Sequence, residues 1–105
     1  MKILFDQGTP APLRRYLTAY EVATAYEMGW AALSNGALLS AAEEAGYRIF
    51  ITTDQNLVYQ QNLRDRKIAV VVLLSTSWPR ILLRVDEIVR TVSAIRDGEY
   101  AEIPI

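Results

Sequence analysis

Two aspartates in this chain stand where an apolar run stops. Lys2 to Phe5 reads KILF and ends at Asp6; Arg48 to Thr52 reads RIFIT and gives way to polar residues, with Asp54 among them. In an open α/β sheet, ligands bind beyond the carboxyl ends of the parallel strands. If the two runs are parallel neighbours, Asp6 and Asp54 converge on one site. The chain has no cysteine and no histidine. That removes a thiolate nucleophile, an imidazole base and the usual nitrogen and sulfur metal ligands. A metal held here is held by oxygen, which suits Mg²⁺ or Mn²⁺ better than Zn²⁺.

A plainer role competes for both residues. Aspartate between a strand and a helix is a favoured helix cap, its carboxylate accepting from free backbone N–H groups. Capping explains either residue alone. It explains less well a pair that shares an edge with Asn35, Asn56 and the hydroxyls of Ser75, Thr76 and Ser77.

The elements that must position these residues alternate regularly. A strand over 2–6 leads through Gln7-Gly8 to a short helix that ends near Thr18. Thr9 is its cap, Pro10 suits its first position, and Leu13 and Leu17 form a core stripe. Val22, Thr24 and Tyr26 alternate over 20–26, as in a strand with a half-exposed face. Ser34 or Asn35 caps a helix over 36–45, with Leu38, Leu39, Ala42 and Ala45 on one face and Gly46 as its stop. The strand 48–52 follows. Asp54 is then placed to cap a third helix with a weaker pattern in Leu57, Val58, Gln61 and Asn62. The run 69–74 has no polar alternation and reads as a strand buried on both faces. Trp78-Pro79 opens one long helix over 78–97, with Ile81, Leu82, Val85, Ile88, Val89, Val92 and Ile95 inward and Gly98 ending it. A last edge strand spans 100–105.

The order β-α-β-α-β-α-β-α-β implies an α/β fold: one three-layer α/β/α domain over 1–105, around a mostly parallel five-stranded sheet. All strand-to-helix loops then lie at one edge. That upper edge collects Asp6, Gln7, Glu27, Asn35, Asp54, Asn56, Ser75 and Thr76. Glu43 and Glu44 fall roughly 12 Å below Asn35 at ~1.5 Å per helical residue, on a solvated face. Asp65, Asp86 and Glu87 read as surface, and Arg14 and Arg15 as solvated more than phosphate-binding.

Composition bounds the rest. The 105 residues suit one domain, and half of them are apolar, enough to fold. With 11 basic and 12 acidic residues the chain is not a strongly basic nucleic-acid binder, although a local patch is allowed. No signal peptide and no run of ~20 apolar residues is present, so a cytoplasmic protein without a membrane partner is expected.

Taken together, MKILFDQGTPAPLRRYL, YEVATAYEMGW, LSNGALLSAAEEAG, YRIFITTDQNL and IAVVVLL resemble the small PIN-like family of bacterial and archaeal proteins. Its members open on a strand followed by Asp-Glu/Gln-Asn/Gly. They carry Asp-x-x-Ile/Leu at a helix start and then Val-Thr-x-Asp-x-Asp/Asn-Phe/Leu. The likeness covers residues 1–75. It implies a PIN-like domain with Mg²⁺- or Mn²⁺-dependent ribonuclease activity, in many members the toxin half of a toxin–antitoxin pair. RNA, a small antitoxin protein and a second copy of the chain are the partners it suggests. Asp6 and Asp54 match the metal-binding acids and would be the catalytic ligands. Asn35 stands where the family usually has Asp, and Asn56 where many members have it. Both would act through coordinated water. Gln7, Glu27, Ser75 and Thr76 would support the site, and Arg14 and Arg15 would touch substrate. Metal-bound hydroxide would be the nucleophile.

Two other readings use the same residues. A receiver-like phospho-acceptor domain also places acids after strands one and three and a hydroxyl after strand four. It needs an acidic pair where this chain has Asp6-Gln7, and a lysine after strand five where this chain has none. A catalytically weakened PIN-like binding module accounts for the two neutral positions, Asn35 and Asn56.

Overall fold

The computed structural model describes residues 1–60 and 62–105, apart from the side chain of Gln60. Five strands, β1 (Lys2–Phe5), β2 (Glu21–Thr24), β3 (Ile49–Thr52), β4 (Ala69–Leu73) and β5 (Tyr100–Ile103), form one sheet in the order β2-β1-β3-β4-β5. All four pairings are parallel, so the α/β reading holds and no strand is reversed. Every residue of β3 and β4 is buried, as expected of strands covered on both faces.

The period-two alternation divides the core in two. Ile3, Phe5, Ile49, Ile51, Val71 and Ile103 point to one face. There they meet Leu13 of a 3₁₀ helix (Ala11–Tyr16) and Leu17, together with Ile81, Ile88 and Val92. Leu4, Phe50, Val70 and Val72 point to the other face. There they meet Leu38, Leu39 and Ala42 of α1 (Asn35–Glu44) and Leu57 of α2 (Leu57–Gln60). Each such fully buried side chain contributes about 1.5–3 kcal/mol relative to exposure. Helices on both faces make the three layers. Among the described residues no helix is long and apolar enough to cross a membrane.

Several elements differ from expectation. The single helix over 78–97 is two, α3 (Trp78–Leu82) and α4 (Val85–Ala94). The chain tightens between them: the amides of Leu83 and Arg84 bond back three residues, to the carbonyls of Arg80 and Ile81. Arg84 leaves helical geometry with φ −114° and ψ 13°. Leu82, expected inward, is 41% exposed in consequence, and Leu83 is 84% exposed. Helix α4 ends before Ile95, so Gly98 does not terminate it. Gly98 has φ +76° and donates its amide to the Lys67 carbonyl at 2.8 Å. A β-carbon there would lie 2.9 Å from the Arg66 carbonyl. The glycine serves a close backbone approach.

The first helix is 3₁₀, and its cap position is Pro10, which offers no side-chain bond. Thr9 is engaged elsewhere. Ser34, not Asn35, caps α1, its Oγ accepting from the Ala37 amide at 3.4 Å. Strand β2 stops at Thr24, and Tyr26 stands beyond it, 77% exposed. Strand β3 begins after Arg48, which is exposed and pairs with Asp97 at 2.7 Å. Of the weak pattern after Asp54, Gln61 lies outside the described residues; α2 is a single turn.

Candidate functional site

Sheet order 2-1-3-4-5 reverses direction between β1 and β3, and such a switch point is where doubly wound sheets open a crevice for ligands. Asp6 and Asp54 both follow these two strands. The register pairs Phe5 with Ile51, which brings Asp6 opposite Thr52 rather than opposite Asp54. Thr52 is fully buried, and its hydroxyl joins the two acids. It donates to Asp6 Oδ2 in a short bond and accepts from the Asp54 amide at 3.0 Å.

The other atoms of Asp6 are also engaged. Its Oδ1 accepts from the Thr9 amide at 3.1 Å and lies 2.8 Å from the Thr9 hydroxyl. That hydroxyl is also 2.8 Å from the Ile51 carbonyl, so one proton faces two acceptors. Burial pushes the Asp6 carboxyl above its ordinary pKa, opposed by hydrogen bonds from Thr52, Thr9 and Gly8. Asp54 divides its carboxylate. Oδ1 accepts from the Asn56 amide at 2.9 Å, a turn that fixes the entry to α2. Oδ2 accepts from Asn35 Nδ2 at 3.1 Å. Turn and site geometry thus coexist in one residue, which stands before α2 and whose carboxylate caps no amide of it among the described residues.

The structure brings Asp6, Thr52, Asp54 and Asn35 into a single hydrogen-bonded chain. Gln7 lies beside it, lining the same cavity as Asp6 and Asn35. Asn56 contributes its backbone, and its exposed side chain makes no hydrogen bond among the described residues. Ser75 turns away to accept from the Ser77 amide at 3.0 Å, whereas Thr76 lines a groove together with Asp6. Glu27 and Arg14 leave the site to pair with each other. Glu27 also accepts from the Thr24 amide at 2.9 Å, and Arg14 and Thr24 hold its carboxyl below the ordinary pKa. Arg15 is exposed and takes part in no ion pair among the described residues.

Sequence reasoning missed Thr52 and gave Thr9 the wrong task. For Thr52 the signal is a threonine at the end of a strand that faces an acid-bearing neighbour, and it becomes readable only once the register is known.

Two carboxylates here receive neutral donors only. Among the described residues neither Asp6 nor Asp54 joins a salt bridge, and no group of three or more acidic, histidine or cysteine side chains forms. Among the described residues Asp6 Oδ2 and both Asp54 oxygens each accept one hydrogen bond, and a carboxylate oxygen has two lone pairs. That donor set fits a hydrated Mg²⁺ or Mn²⁺, which takes one or two carboxylates and retains several waters. The adjoining cavity of about 150 Å³, lined by Asp6, Gln7, Gly8, Trp30, Leu33 and Asn35, far exceeds the ~10–15 Å³ that a single water needs.

No family model, curated protein or solved structure matches this chain.

Proposed function

We propose that this protein is a metal-dependent ribonuclease of PIN-like type, acting in the cytoplasm, with Mg²⁺ or Mn²⁺ held by Asp6 and Asp54. The observation that supports this reading most is the pair of uncompensated carboxylates at the β1/β3 switch point. Among the described residues Glu27, Glu43, Glu87 and Asp97 each pair with an arginine, whereas Asp6 and Asp54 are supplied with neutral donors only, which leaves their negative charge for a ligand. When bound, the metal supplies Lewis-acid stabilisation of a phosphodiester and an activated water. Thr52 holds Asp6 in place, Thr9 fixes its second oxygen, and Asn35 orients Asp54. A small antitoxin that covers this edge fits the toxin half of a toxin–antitoxin pair.

Calorimetric titration with Mn²⁺, paired with cleavage of a single-stranded RNA, tests this. Wild type should bind and cleave, and Asp54→Asn should do neither. Binding that survives in Asp54→Asn removes the site.

A second reading has its own support. Each of the four carboxylate oxygens already has a protein donor, and Asn35 and Asn56 are neutral. A binding module that pairs with an antitoxin or with a second copy needs no metal. A flat Mn²⁺ titration together with a concentration-dependent dimer in light scattering would select it. The receiver-like alternative shares the sheet order, but it needs an acidic pair after β1, where this chain has Asp6-Gln7.

A further inference from the structure

Three depressions run in series along the upper edge. The first holds Arg14 and Arg15, and it shares Ala11 and Thr24 with the second. The second is a groove of about 550 Å³ that Tyr26, Thr76 and Trp78 also line. This groove shares Asp6, Gln7 and Gly8 with the small cavity beside Asn35. A continuous track therefore leads from Arg15, which joins no ion pair among the described residues, across two aromatic side chains, to Asp6.

The aromatic residues differ in how they are held. Trp78 is half-buried, packs against the core and lies 6.1 Å from the Tyr16 ring at 44°. It is a fixed wall. Tyr26 is 77% exposed and belongs to neither core cluster. It is a large aromatic left in water where it lines the groove beside Asp6, open to a stacking partner. Successive bases of a single strand stack on such rings, and bases within a duplex are already stacked and do not.

We propose that this groove is a nucleobase subsite for single-stranded RNA. A base stacks on Tyr26 within the groove that Trp78 walls. The phosphate on one side of it reaches the Asp6 cavity, and the phosphate on the other side meets Arg15. Arg14 is excluded as that contact, because Glu27 engages both of its terminal nitrogens and its Nε is buried. The assignment rests on the reading of Asp6 as a phosphodiester site, where a cation must stand between carboxylate and phosphate; the stacking on Tyr26 and the contact with Arg15 require no metal.

The test is fluorescence anisotropy of a labelled RNA hexamer, titrated with protein in EDTA at low salt. Tyr26→Ala should weaken binding roughly 10-fold, and Tyr26→Phe should retain most of it. A hexamer with one abasic position should bind wild type about 10-fold more weakly and Tyr26→Ala no more weakly than the intact hexamer does. Arg15→Gln should lower the salt slope by about 1 while leaving the abasic effect intact. Wild-type affinity in Tyr26→Ala, independent losses from the abasic position and the mutation, or no RNA binding at all would each overturn the subsite. Cleavage with Mn²⁺, followed in parallel, separates the two readings. Tyr26-dependent binding without cleavage removes the nuclease and leaves the subsite. Cleavage with an unchanged KM in Tyr26→Ala removes the subsite and leaves the nuclease.

Discussion

At the lower edge of the sheet Arg66 closes on Glu43 and Arg48 on Asp97, whereas at the upper edge Asp6 and Asp54 meet hydroxyls and amides alone. Both edges carry cavities. The lower one, of about 300 Å³ and lined by Glu43, Tyr47, Arg48, Lys67 and Asp97, is larger than the cavity beside Asn35. At the upper edge the groove of about 550 Å³ beside Asp6 is larger still, but neither size nor the number of charges separates the two edges. What differs is compensation. The lower acids tie elements together: Glu43 on α1 also accepts from the Lys67 amide at 3.1 Å, and Arg66 reaches the Gly36 carbonyl at 3.4 Å. Lys2 adds a bond to the Ala45 carbonyl at 2.8 Å, with its ammonium 4.4 Å from the centre of the Tyr47 ring. Asp6 and Asp54 are held in position without being neutralised, as a cation site requires, whereas Glu27 is closed by Arg14.

The largest effect expected from breaking this contrast is at Asp6. Asp6→Ala should abolish Mn²⁺ binding and lower RNA cleavage by ~100-fold or more, a transition-state loss of about 2.7 kcal/mol or greater. Glu43→Ala should leave both unchanged. Equal losses in the two variants would show that the edges are not functionally distinct.

Next in size are changes at the lower edge, read by melting temperature with metal binding as the control. Gly98→Ala forces a β-carbon to 2.9 Å from the Arg66 carbonyl at φ +76°. It should destabilise by about 2 kcal/mol, which is ~8–16 °C in a domain of this size. Glu43→Ala leaves Arg66 and the Lys67 amide short of an acceptor at a partly exposed pair, and should cost about 1 kcal/mol. A change in Mn²⁺ affinity larger than the change in stability, in either variant, would mean that the edges communicate.

The sequence made one edge more legible than the other. Alternation of buried strands and amphipathic helices was enough for the layers, the parallel sheet and the upper-edge placement of Asp6 and Asp54. The adjacency of β1 and β3 entered as a condition, because two apolar runs do not fix sheet order, and the pairing of Phe5 with Ile51 meets it. Register was not legible, because KILF and IFIT slide past each other without a polar marker; hence Thr52 was missed. Glu43 was read as solvated because its partner, Arg66, lies 23 positions away in a loop. The break at Leu83-Arg84 has no glycine or proline, and the apolar spacing from Ile81 through Val85 to Ile88 runs across it unbroken.

A smaller effect should appear with pH. Burial raises the Asp6 carboxyl above 3.8, so the folded chain holds that proton more tightly than the unfolded chain. The resulting stability is fully present below about pH 3.8 and is lost as pH rises through the folded value. Metal binding needs the carboxylate and should grow over that same window. Melting temperature of wild type minus that of Asp6→Asn should therefore fall with rising pH in EDTA and rise with pH in Mn²⁺. The same slope in both buffers would detach Asp6 from the metal.

The smallest expected effect is also the one that most sharpens the comparison, because it adds charge to the upper edge instead of removing it. Asn35 Nδ2 donates to Asp54 Oδ2 at 3.1 Å. In Asn35→Asp that donor becomes a carboxylate oxygen, and two like charges face each other without a cation. Asn35 is the first residue of α1, where the helix dipole favours an acid by about 0.3–1 kcal/mol and offsets part of the repulsion. The net loss without metal should be about 1 kcal/mol, some 4–8 °C in melting temperature. Millimolar Mn²⁺ should restore it, since a ligand that binds only the folded state stabilises that state. Mn²⁺ affinity and cleavage should both rise, because a third carboxylate adds a full charge at short range. Melting that is lowered equally with and without Mn²⁺, at unchanged metal affinity, would mean that Asn35 serves only to hold Asp54. The upper edge would then be built for a partner's surface, and the binding module would replace the nuclease as the better reading.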